Sequence, residues 1–349
     1  LPGDCAMQWM SALLVVLITT ASLGCNRTPS DRVGDAAEPR PMASTEPPPA
    51  EDSGERAVPD LLLSLRRLSR VDETAPFIPF VTPRSRAWLA GQPIEVLRAM
   101  LSGELSRLDC REGRCIAWMK DPKNPARPLV FLQRPVAWLW DPGASLSYQD
   151  PDPGPPDPEN RDRKPEEVFR SFPGSGSLEA LLETDAGTLR CVLEERDVPA
   201  SVSLFVGLAT GLRAHREPSS GEWVHRPCFG RQDLSIDQNN RALVLACPEG
   251  NEDIGPGFWK PDELRMSLRM DRPGRLAFDP PGPNRVGGRV VLTLAPDPDR
   301  DGLATVLGQC GPEETLRHMA SMVSASRGRD SPAIRLKGIT VVREEKATR

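Results

Sequence analysis

The side chains with the clearest capacity for covalent chemistry are the cysteines. Six of them lie beyond residue 100: Cys110, Cys115, Cys191, Cys228, Cys247 and Cys310. An even set of this kind reads as a disulfide framework made in an oxidising compartment. Cys110-Arg-Glu-Gly-Arg-Cys115 falls between two patterned segments, and a bond pinching that turn is the favoured pairing. The pairing of Cys191, Cys228, Cys247 and Cys310 is left open. Metal chemistry is disfavoured, because no second close cysteine pair completes a ligand set and only His215, His225 and His318 supply imidazoles. The Gly174-Ser175-Gly176-Ser177 run lacks the G-x-S-x-G form of a nucleophile elbow. The acidic stretch around residues 141–167 lacks EF-hand spacing, and its prolines would disrupt a calcium loop. With no phosphate loop either, no cofactor is expected. A net charge of −5 excludes the basic footprint of a nucleic-acid binder.

These groups must be positioned by a chain of 349 residues carrying 38 Pro and 28 Gly, a globular part diluted by proline-rich segments. Ser11 to Leu23 is apolar but too short to span a bilayer, so residues 1–24 read as a secretory signal. The Leu23-Gly24-Cys25 ending resembles the lipobox of bacterial lipoproteins. That resemblance implies lipidation at Cys25, and Asn26 in place of aspartate implies the outer membrane. Residues 25–59 are then a disordered tether.

Residues 60–140 read as a small α+β unit. Leu61 to Leu68 has the pattern of a short amphipathic helix. Ile94, Leu97, Leu101, Leu105 and Leu108 predict a longer one from Pro93 to Leu108. Strands follow around Ile116–Met119 and within Leu129–Trp140, and Trp118, Trp138 and Trp140 are expected in the core. Residues 141–177 form a second, acidic linker.

From Leu178 the pattern becomes many short strands with two helices, Pro199–Leu212 and Glu313–Ala325. Strands are expected at Gly187–Glu194, Ala242–Ala246, Arg275–Phe278, Arg289–Ala295, Ala304–Gly308 and Ile334–Val342. The helices are too few for βαβ units. The expected fold is mainly β, an antiparallel closed sheet capped by the two helices.

The residues of this region, taken in order, resemble the cyclophilin-type peptidyl-prolyl isomerases. The segments that carry the likeness are Thr184–Leu189, Asp197-Val198-Pro199, Phe205–Gly211 and Cys247–Asn251. Further on come Gly255–Phe258, Pro261-Asp262-Glu263, Pro273–Leu276, Gly282-Pro283-Asn284, and Asp301-Gly302 with Val306 and Gly308. The resemblance spans residues 178–344 and implies an eight-stranded β-barrel with a helix closing each end. It also implies a chemistry. The X–Pro bond rotates over a barrier of about 18–20 kcal/mol. In the family, an arginine, a glutamine and a pocket of Phe, Trp and His favour the twisted state.

Carried over without gaps, the His-Arg pair falls at Ser235-Ile236, the pocket Phe at Arg241 and the orienting Gln at Val244. The second Gln falls at Arg289, the floor Phe at Val291, the Trp at Asp299 and the His at Ala304. An alternative places the pair at His225-Arg226, which restores only the guanidinium. Every carried-over position is substituted, most with reversed polarity or a lost ring. The expectation is an exported, lipid-anchored envelope protein with isomerase activity lost or much reduced; the alternative is an active foldase. The implied partners are proline-containing segments of envelope proteins and, through Cys25, a membrane.

Overall fold

A run of apolar residues at helical spacing, Ala57, Val58, Leu61, Leu62 and Leu65, buries one stripe of α1 (Gly54–Leu68). The computed structural model in which this helix is seen describes residues 47, 53–120, 128–148, 164–237, 239–248, 255–326 and 334–344. The signal, Cys25 and most of the tether and of the acidic linker lie outside the described residues. Helix α1 begins inside the segment expected to be tether. Its first residue explains why: a Cβ on Gly54 would lie 2.1 Å from the Cys115 sulfur. The helix start is thus pressed onto the Cys110–Cys115 disulfide.

Behind α1 come a short 3-10 turn at Ala75–Phe80, α2 (Pro83–Ala90) and α3 (Ile94–Met100). A four-stranded antiparallel sheet follows in chain order: β1 (Glu104–Arg111), β2 (Arg114–Lys120), β3 (Leu129–Gln133) and β4 (Trp138–Asp141). Leu61, Phe77, Leu97, Phe131 and Trp140 fill its core. The long helix expected from Pro93 to Leu108 therefore ends at Met100, and its second half is β1. Gly103, at φ 86°, breaks the helix. A register shift between Leu105 and Arg107 then upsets strict alternation, which is why the leucine spacing imitates a helical stripe.

Trp138 and Trp140 are core residues as expected, but Trp118 is only half-buried. Its ring lies 4.6 Å from the Arg107 guanidinium and 5.5 Å, edge-on, from Tyr148. The ends of the expected linker are also structured. Helix α4 (Pro142–Ser147) is capped by Asp141, whose carboxylate accepts from the Ala144 amide and from the Thr82 and Ser85 hydroxyls. Helix α5 (Pro165–Phe169) buries Val168 against the C-terminal core.

The remaining strands are β5 (Leu178–Thr184), β6 (Gly187–Leu193), β7 (His215–Arg216), β8 (Trp223–Val224), β9 (Gln232–Ile236) and β10 (Ala242–Ala246). They continue with β11 (Arg275–Phe278), β12 (Arg289–Thr293), β13 (Thr305–Gly311) and β14 (Ile334–Arg343), with helices α6 (Pro199–Thr210) and α7 (Glu313–Ala325). Eight of these strands close a mainly antiparallel barrel in the order β10-β12-β11-β13-β6-β5-β14-β9; β7 and β8 form a separate hairpin. The fold is the cyclophilin-like barrel with flanking helices. Its interior holds Leu182, Leu189, Leu243, Leu245, Phe278, Val290, Leu292 and Leu307, while Phe205 of α6 and Met319 of α7 join the same core. Cys191 and Cys310 sit opposite each other on β6 and β13 and form one disulfide; Cys228 and Cys247 form another.

Candidate active-site groove

Side chains alternate across a strand, so residues next to the interior ones must face outward. On β10, Leu243 and Leu245 point into the barrel and Ala242 and Val244 point out. The same parity sends Ala277 of β11, Val291 of β12 and Val306 of β13 to the outer face. These outward residues are not solvated. They form a second buried cluster with Met270 and Ala304, and Leu268 packs on it. A strand covered on both faces reads as an unbroken apolar run, which is what Ala242-Leu243-Val244-Leu245-Ala246 is.

The carried-over positions meet on this outer face. Val291 stands directly opposite Val244 in the β10–β12 ladder, and Val244 stands opposite Ser235 on β9. Val291 is 0% exposed, Val244 2% and Ala304 5%. Three positions that the resemblance gives to a ring, an amide and an imidazole thus form one aliphatic cluster. Met270 lies within it, fully buried, and its backbone is clamped. The Met270 amide donates to the Asp301 carboxylate, and its carbonyl accepts from the Asp297 amide.

A charged network borders the cluster. The Arg300 guanidinium pairs with Asp237 and Asp279, each at 3.2 Å, and with Asp297. Arg289 pairs with Asp279 at 3.3 Å, and Arg241 with Asp297 at 3.6 Å. Asp237 also accepts from the Arg241 and Ala242 amides. The two arginines at substituted positions are therefore bound to carboxylates rather than extended toward an incoming peptide. Ile236 and Asp299 join neither this network's charges nor the aliphatic cluster. Arg226 of the alternative pair is held by Glu217 beside the β7–β8 hairpin, and neither it nor His225 belongs to the Val291 cluster.

Sequence reasoning did not single out Met270, Asp237, Asp297 or Arg300. The signal for the last two was the Asp297-Pro298-Asp299-Arg300-Asp301 run, one arginine among three carboxylates. It also missed that the N-terminal sheet reaches this region. Arg134, at the end of β3, donates to the backbone carbonyls of Pro298, Asp299 and Asp301 at 3.2, 2.9 and 2.6 Å. Glu112, in the β1–β2 turn, accepts from the Met266 amide at 2.7 Å. Arg114 forms an ion pair with Asp262, whose side chain is fully buried. Burial pushes the Asp262 carboxyl above the ordinary carboxylate range, against the pull of Arg114 and of the Asn284 amide. Between the sheet and the 261–265 loop lies a cleft of about 310 Å³, with Tyr148 and Ile116 in its wall.

Comparison with known proteins finds relatives over part of the chain. The chain is 35% identical over 118 residues to a peptidyl-prolyl cis-trans isomerase-like 3 of Mycosarcoma maydis, covering 31% of this chain and 70% of that protein. It is 29% identical over 154 residues to a peptidyl-prolyl cis-trans isomerase of Synechococcus elongatus, covering 43% and 91%. To peptidyl-prolyl cis-trans isomerase A of Mycobacterium tuberculosis it is 27% identical over 165 residues, covering 46% and 91%. A solved cyclophilin-type isomerase of Cryptosporidium parvum aligns over 49% of this chain and 99% of that one, at 18% identity and a TM-score of 0.37. No family model matches the chain. The chain belongs to the cyclophilin-type peptidyl-prolyl isomerase family, as a divergent member.

Proposed function

We propose that this cyclophilin-type chain is an exported, lipid-anchored protein of the bacterial envelope whose barrel has lost, or nearly lost, isomerase activity and serves as a binding or structural module. The observation that carries the reading is the Val291–Val244–Ala304 cluster. Catalysis of X–Pro rotation requires donors aimed at the twisted amide and a pocket that holds the prolyl ring. Here the groove positions hold aliphatic side chains packed against Met270, and Arg289 and Arg300 are neutralised by Asp279, Asp237 and Asp297. A guanidinium bound to several carboxylates is a poor donor to a neutral prolyl nitrogen.

The test is an NMR-exchange or protease-coupled assay with short proline peptides. The expected rate is that of the uncatalysed reaction. Clear turnover that disappears in Arg226→Ala would sink the reading and support the alternative, an active foldase, which the activities named for the relatives favour. Export and anchoring rest on the Ser11–Leu23 stretch and the lipobox-like Leu23-Gly24-Cys25. Fractionation of cells carrying Cys25→Ser tests them: the wild type is expected with the membranes and the variant released.

A further inference from the structure

The barrel's groove is bordered by two loops, residues 264–270 and 298–304, and both are held by the N-terminal sheet. Arg134 is 5% exposed, and its guanidinium donates to the backbone carbonyls of Pro298, Asp299 and Asp301. Three charge-assisted bonds from one planar group fix the relative positions of these carbonyls. On the apolar side, Leu303 of the same loop is buried with Val130 and Leu132 of β3 and Ala144 of α4. Leu132 lies so close to Gly302 that a Cβ there would approach its Cδ2 to 3.3 Å. The other loop is fixed by the Met266–Glu112 hydrogen bond, and the segment leading into it by the buried Arg114–Asp262 pair.

What remains between the turn and the two loops is small. A cavity of about 30 Å³ is bounded by Glu112, Gly113 and Gln133 on one side and by Leu268, Gly302 and Ala304 on the other. That is room for about one or two waters and not for a prolyl ring. Ala304 and Leu268 belong to the aliphatic cluster of the groove, so the β1–β2 turn lies against that end of it.

We infer that the N-terminal sheet is an intramolecular strap: through Arg134 and the Glu112-Gly113 turn it holds the 298–304 loop and closes the Ala304 end of the groove to peptides. The inference rests on the family placement of the groove but not on the loss of catalysis. The strap can be present in an inactive or an active barrel.

The test uses the full chain and its Arg134→Ala and Glu112→Ala variants, with hydrogen exchange followed residue by residue and a short Ala-Pro-containing peptide titrated by NMR. In Arg134→Ala the amides of Leu303 and Ala304, which bond to the Arg300 carbonyl, are expected to exchange about tenfold faster or more, with β5 and β6 unchanged. Peptide-induced shifts are expected to grow at Ala304 and Leu268. Glu112→Ala, a change at an exposed turn that does not threaten folding, is expected to speed exchange of the Met266 amide. Unchanged exchange at residues 298–304 in a folded Arg134→Ala chain overturns the strap. So does peptide binding at Ala304 as tight in the wild type as in the variants. Neither result depends on turnover, so an active enzyme would overturn the proposed function and leave this inference standing.

Discussion

Val291 faces Val244 across the β10–β12 ladder, and both are shut off from solvent beneath Met270. In a barrel this pairing would ordinarily put polar or ligand-binding groups on the outer face. The chain instead uses the face to bury apolar surface, with the 264–270 segment as its cover. Under the proposed function, replacement of the pocket residues implied by the resemblance with this second hydrophobic layer is one structural change.

That change predicts how the groove responds to repair. Val291→Phe returns the ring that the family resemblance places there, but into a closed cluster. Overpacking of this kind costs about 1–3 kcal/mol. The variant is expected to unfold at lower urea than the wild type and to gain no isomerase activity. Wild-type stability together with measurable turnover would show that the cluster opens readily.

Arg300 offers a second test. Its carboxylate partners Asp237 and Asp297 have side chains 2% and 1% exposed. Arg300→Ala leaves Asp237 without this cation and Asp297 with Arg241 alone, and an unpaired buried charge is destabilising by about 3–5 kcal/mol. Asp279→Asn removes a partner that is 13% exposed and has the second cation Arg289 beside it, so its effect is expected to be smaller. Equilibrium urea unfolding of the two variants measures the order; equal losses would mean that the network is not centred on Arg300.

Much of this fold was legible in the sequence, and the reasons are local. Ala242–Ala246, Arg275–Phe278 and Glu313–Ala325 are the strands and helix expected, because short apolar runs and a helical stripe stand between glycines and prolines. The Cys110–Cys115 bond followed from a short turn next to an expected strand, although the segment before it is a strand and not the expected helix. The β1 segment was misread because its bulge replaced a period of two by leucines three and four apart. The groove positions could be counted from motifs, but what fills the groove could not. Met270 arrives from a loop with no periodicity. Arg134 reaches a loop more than 160 residues away, a contact no local pattern encodes.

The disulfides should differ in what they contribute. Cys110–Cys115 spans 5 residues and Cys191–Cys310 spans 119. Loop-closure entropy gives about 2 kcal/mol for the short loop and about 5 kcal/mol for the long one. Serine pairs at each site, compared by urea unfolding, are expected to show the larger loss for Cys191/Cys310. The short bond has one compensating feature, its packing under Gly54, so a larger loss at Cys110/Cys115 would mean that this contact outweighs chain entropy.

The pH dependence of stability should carry a contribution from His215. The residue is 3% exposed, and its Nδ1 has no hydrogen-bond partner. Burial first, then the nearby Arg226 and His225, hold its imidazole below the ordinary range, with Glu217 opposing. Between the depressed native value and the ordinary one near 6.5, the unfolded chain binds the proton and the native chain does not. Stability from this group is therefore complete above the ordinary value and is lost as the pH falls through the native one. Urea midpoints of the wild type are expected to rise over that interval as the pH is raised. His215→Gln keeps a polar side chain that does not titrate and should flatten the rise. An identical slope in the variant would assign the dependence to other groups, and the histidine would then be a packing residue of the β7–β8 hairpin.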